Sequence, residues 1–198
     1  MHGLLFLGRN SMNKIQFVSQ ILLWVFRALL ILLPLSLLLF WVDAPNGLIK
    51  STLGEGWASF LAINYMASTP PVLHTLSATT KLCGLLISLI PLSINMLTAY
   101  FLLKLFKNYA ALNIFSLENA HFIKRTGWTI FIGQILRPIH DAMLSAIVTW
   151  NNPPGHRLMT IMLDKTNLAF VACALMIILV SWIMTEAYQE QETSKLIV

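Results

Sequence analysis

Arg137, His140 and Asp141 put a guanidinium, an imidazole and a carboxylate into five successive positions of the stretch "GQILRPIHDAMLSA", residues 133–146. Gln134, Arg137, Asp141 and Ser145 follow one another by three, four and four residues, so on a helix they line one face. Arg137 and Asp141 are four apart and can pair within the helix. Such a stripe supports two kinds of chemistry: a hydrogen-bonded clamp between helices, or a pocket that receives a polar ligand or an ion. His140 lies to the side of the stripe, either as a packing residue or as part of the pocket. Ser88, Pro91, Asn95 and Thr98 form a second stripe in another apolar run. Asn95 is expected at a depth similar to that of Arg137, so that the two stripes meet.

The composition explains why these residues stand out. Of 198 residues, 57% are hydrophobic and 11% charged, and mean hydropathy is +0.74, whereas about a quarter of a soluble domain is charged. A hydrocarbon core about 30 Å thick is crossed by roughly 20 apolar residues in a helix. Four runs reach that length, at about 17–42, 82–103, 128–150 and 168–188, with an outer loop at 43–81 and an inner loop at 104–127. Their apolar residues are continuous rather than alternating, which argues against a β-barrel. The expected fold is all-α: a single membrane domain, 1–198, holding an integral bundle of four transmembrane helices plus a short cytoplasmic interfacial helix.

The formal charge of +5 reads as topology. Arg9 and Lys14 precede the first run, and Lys104, Lys107, Lys124 and Arg125 surround the inner loop against one acid, Glu118. Basic residues collect on the cytoplasmic side of short loops, so the inner loop and both termini are expected inside. No basic cluster interleaved with aromatics suggests direct nucleic-acid binding. The first run lacks a small-residue cleavage site and reads as a retained anchor, with Met12 as an alternative start. Cys83 and Cys173 read as buried free thiols, with a disulfide as the alternative. Trp41 and Trp150 fall at the outer ends of runs and Trp128 and Trp182 near inner ends, where indole rings favour the interface. Arg27 and Glu186 are a second charged pair, able either to meet or to snorkel separately. The outer loop holds Trp57, Phe60 and Tyr65 and is expected to carry a short helix around 57–66.

The inner loop carries the clearest local signals. Ser116 is placed as an N-cap and Glu118 falls in the first turn, where a carboxylate opposes the helix dipole. An interfacial helix is therefore expected from Ser116, turning into the third run at Gly127. "IFSLENAHFIKRTGW" and the closing "ILVSWIMTEAYQEQETSKLIV" resemble the bacterial domain-of-unknown-function 2975 family of small inner-membrane proteins. The likeness falls on Phe115, Ser116, Glu118 and Asn119 and on the Gln-rich acidic tail, and is strongest after about Leu103. The segment before Met12 and the Arg-Pro-Ile-His-Asp run depart from that pattern.

The resemblance implies a multi-pass protein of the bacterial inner membrane, associated with a small cytoplasmic helix-turn-helix regulator of transcription; it implies no catalytic residue. The sequence holds no H-E-x-x-H, G-x-S-x-G, C-x-x-C or glycine-rich phosphate loop. Only His140 among the histidines falls within a run, so paired haem ligation is not expected. The expectation is a non-enzymatic membrane regulator or sensor without a cofactor. The alternatives are a small transporter or channel subunit using the Arg/Asp stripe, and a structural or assembly partner of a larger complex. The expected partners are the lipid bilayer, the regulator, and a second copy of the chain. The regulator would dock on a cytoplasmic face of Ser116, Glu118, Asn119, Lys124, Arg125, Glu190 and Glu192.

Overall fold

The computed structural model describes residues 2–43, 76–161 and 165–196. Its order is α1 (His2–Asp43), α2 (Ala78–Ala110), α3 (Leu117–Val148) and α4 (Lys165–Leu196). Three segments are long and apolar enough to cross a membrane: Lys14–Val42, Ala78–Ala110 and Lys165–Ser194. The third helix has the length, 32 residues, but its apolar part is diluted by Gln134, Arg137, His140 and Asp141. The expected outer-loop helix around 57–66 and most of the 43–81 loop lie outside the described residues.

The helices carry their large apolar side chains outward. On α1 alone Phe17, Ile21, Trp24, Ile31, Leu35 and Leu38 are exposed. A surface of that kind is out of place in water, where monomers seldom expose large contiguous apolar patches, and natural in lipid. Each helix is also longer than the run that signalled it, because polar turns continue the backbone hydrogen bonding past the apolar segment.

The chain forms two compact units, one of residues Met1–Leu30, Met96–Phe131 and Ala169–Val198, the other of Ile31–Asn95 and Ile132–Leu168. In the first unit α2 and α3 run antiparallel: Asn108 bonds Glu118 and Asn119, and Arg125 lies over Phe101 at 5.9 Å. Phe26 stacks on Phe106 with centroids 5.7 Å apart. No separate interfacial helix forms. The helix that begins after Ser116 runs unbroken through Gly127 into the third run. Gly127 serves close approach rather than a turn, since a Cβ there would come within 2.7 Å of Ile178 Cγ1 on α4.

The second unit is built around Trp41. The sequence placed this indole at an interface, but only 2% of it is accessible. It lies against Gly84, where any side chain would run into the ring. Its Nε1 donates to Ser88 Oγ at 3.2 Å, and that hydroxyl donates to the Gly84 carbonyl at 2.8 Å. A donor on the ring and an acceptor one turn from the glycine convert an interfacial residue into a core one. Trp128, Trp150 and Trp182 do stay exposed. Here too α2 and α3 are antiparallel, since Ile94 fills the space at Gly133 and Asn151 donates to Thr80 at 3.3 Å. Both cysteines are free, but neither is buried as expected: Cys83 is half-buried and Cys173 is exposed, on the apolar outer surface of α4. Gly84→Leu is expected to destabilise the protein by about 2 kcal/mol through overpacking, and Trp41→Leu in the same chain to recover part of that loss; thermal unfolding in detergent measures both.

Candidate functional site

The polar stripe of α3 lies in the second unit, and its members have separate surroundings. His140 is 4% exposed, and its Nδ1 faces Asp141 Oδ1 at 3.2 Å, the carboxylate side chain itself being only 12% accessible. A carboxylate facing Nδ1 favours the Nδ1–H tautomer of a neutral imidazole, in which Nε2 is an acceptor. Nε2 is buried and, among the described residues, has no partner; Gln134 Oε1 is in the same condition. A buried polar atom without a hydrogen bond costs about 1–3 kcal/mol. Asp141 has a further interaction besides this contact, and among the described residues Arg137, half-buried, forms no ion pair. The nearly enclosed carboxylate takes the buried imidazole, while the longer arginine keeps partial access to the surroundings. Two histidine and aspartate donors side by side are fewer than a metal centre needs, and among the described residues no cluster of three forms.

Ser145 belongs to a different arrangement. Its Oγ donates to the Ala142 carbonyl at 3.0 Å and accepts from Thr160 N at 2.9 Å. Thr149, one turn on, accepts from Leu158 N and donates to Leu158 O, both at 3.1 Å. Asn152 donates to His156 O at 3.1 Å. These side chains bind the chain after α3 back onto the helix end. Thr149 and Asn152 escaped the sequence reading because they act on backbone groups of the non-helical segment after α3, which side-chain periodicity does not display.

Asn95 falls on the helical face of the buried Ser88, Leu92 and Ala99, at spacings of seven, three and four, yet it is exposed. Ser88 is engaged with Trp41 and Gly84 and Ser145 with Thr160, so these two hydroxyls hold other segments rather than each other. Arg27 lies 5.4 Å over its own neighbour Trp24, and Glu186 is exposed: of the two readings of that pair, separate placement is what forms.

The expected partner face lies in the first unit and divides in two. Lys124, Arg125, Glu118, Glu190 and Glu192 are exposed, Glu192 with an interaction of its own. Asn119 is 0% exposed and is unavailable to a partner. Its Nδ2 donates to Asn113 O at 2.7 Å and Ile114 O at 2.9 Å, and its Oδ1 accepts from Asn108 at 2.8 Å. Ser116 is the N-cap as expected, accepting from Asn119 N at 3.2 Å. The end of α2 closes with Asn113 N donating to Asn108 O and Leu112 N to Tyr109 O, both at 3.0 Å, a Schellman pattern. Leu112 at φ 61 takes the left-handed position usually given to glycine. The Asn-x-x-x-x-Asn spacing of 108 and 113, followed by Ser116 and Asn119, marks this turn once its bonds are known.

No family model, curated protein or solved structure matches the chain. Asn119→Leu keeps the branched shape but is larger and strands two carbonyls and Asn108, and is expected to cost about 3 kcal/mol, against about 1 for Ser116→Ala; equilibrium unfolding in mixed micelles measures the difference.

Proposed function

We propose that the chain is a non-enzymatic integral membrane sensor or regulator, crossing the bacterial inner membrane four times with both termini in the cytoplasm. Support for the fourth crossing is the antiparallel registry of α2 and α3 in each unit, 101 with 125 and 108 with 118 in one and 94 with 133 in the other, where Thr80 also meets Asn151 just past the end of α3. A helix that accompanies a membrane-length partner in this way is matched to it in depth. The signal site is the α3 cluster of His140, Asp141, Arg137 and Gln134, and the observation that carries it is the buried, unpartnered Nε2 of His140. Burial without a partner lowers stability, and uncompensated polar atoms of this kind concentrate where function requires them. With Nδ1 held by Asp141, the imidazole offers a fixed acceptor to a hydrogen-bond donor that arrives from outside the protein. The output is a small cytoplasmic regulator, as the family resemblance implies.

Topology is tested with single cysteines in a chain lacking Cys83 and Cys173. His156→Cys is expected to react with an impermeant thiol reagent added outside intact cells, and Ala111→Cys and Ser194→Cys only after lysis. Labelling of Ser194→Cys in intact cells would mean that α3 does not cross.

The signal site is tested with His140→Phe combined with Asp141→Leu, which fills the same space without polar atoms. The double variant is expected to insert normally and to unfold at a temperature equal to or above that of the wild type. Cells carrying it are expected to show altered transcript levels across the genome. Unchanged transcripts together with lost uptake of a solute would favour the transporter reading. A large loss of stability would return the cluster to a purely structural role.

A further inference from the structure

The inner half of the α2–α3 seam in the first unit carries cations that no carboxylate answers. Lys104 Nζ lies 5.6 Å over the ring of Tyr100, and Arg125 lies 5.9 Å over Phe101, which belongs to the facing helix. Among the described residues neither forms an ion pair, and neither cationic group has a contact beyond these rings. The nearest acid along α3, Glu118, is two turns away, about 10 Å along the axis, and its Oε2 accepts from Asn108. His121, exposed, is one turn from Arg125 on the same face.

Depth adds the second argument. The 33 residues of α2 span about 50 Å, against about 30 Å of hydrocarbon. Centred on the bilayer, the helix leaves about 10 Å beyond each face, which puts Lys104 at the boundary between acyl chains and headgroups. Leu97 and Tyr100, on the same side of α2, are exposed apolar and aromatic surface below it. Aromatic rings hold both cationic groups at one level while leaving their N–H donors open to an oxyanion.

We propose that Lys104 and Arg125 form a binding site for the phosphodiester of an anionic phospholipid, with the acyl chains against Leu97 and Tyr100. The ring contacts orient the cations without neutralising them, so the site keeps its full charge for the phosphate. This assignment needs α2 to span the membrane and is independent of the sensor reading. A free phosphate offers the same oxyanion, and the two sources differ in whether acyl chains are required.

The test is native mass spectrometry of the full chain in detergent, titrated with phosphatidylglycerol or with phosphatidylcholine of the same acyl chains. Wild type is expected to retain phosphatidylglycerol preferentially. Lys104→Gln with Arg125→Gln is expected to weaken that binding by about fivefold per charge removed. Lys14→Gln with Lys107→Gln, the same charge change elsewhere on the inner side, is expected to change it less than about twofold, and millimolar inorganic phosphate to leave the lipid in place. Equal retention of the two lipids, equal losses in the two double variants, or displacement by inorganic phosphate would each overturn the assignment. Circular dichroism and melting of both variants show whether any loss reflects misfolding.

Discussion

A hydroxyl or amide in an apolar helix has to find its hydrogen bond inside the protein, and that constraint organises most of this structure. Ser36 donates to Leu33 O, Ser88 to Gly84 O, Ser93 to Ile90 O, Thr126 to Phe122 O, Thr129 to Arg125 O, and Ser181 to Ile178 O, all at 2.6–2.8 Å. Each hydroxyl turns back on a carbonyl three or four residues earlier. In hydrocarbon the alternative is an unsatisfied group costing several kcal/mol. Polar residues can therefore be spread along the spans without forming a site.

Against that background the exceptions carry the information. Among the described residues most buried side-chain polar atoms are satisfied, whereas His140 Nε2 and Gln134 Oε1 are not. Both lie on α3, the helix that is least apolar and that carries an arginine and an aspartate in its apolar stretch. The first helix presents a long row of exposed apolar side chains, and the third carries the polar stripe. Asn119 shows the opposite solution, using both ends of its carboxamide to tie a turn whose backbone departs from a helix at Leu112.

Glycine takes part in the same economy of space. Gly84 admits the indole of Trp41 and Gly127 admits Ile178, each at a point where two helices come closer than side chains allow. Close approach brings dispersion contacts that substitute for the hydrophobic drive missing in lipid.

Much of the architecture is legible in the sequence because it depends on local chemistry. Long apolar runs mark the helices, Ser116 marks the cap that starts α3, and the basic residues near Lys104 and Arg125 mark one end of the helices. These signals act over a few residues and are written where they act. The tertiary structure decided what depends on a neighbour distant in sequence. Trp41 became core because Gly84 and Ser88 face it, Gly127 continued a helix because Ile178 needed the space, Asn119 closed inward on the α2 end, and Ser145 bound Thr160. Asp141 faces its neighbour His140, whereas the helical spacing points to Arg137. The helical period places a residue on a face, but what that face meets is fixed only when the other helices pack against it.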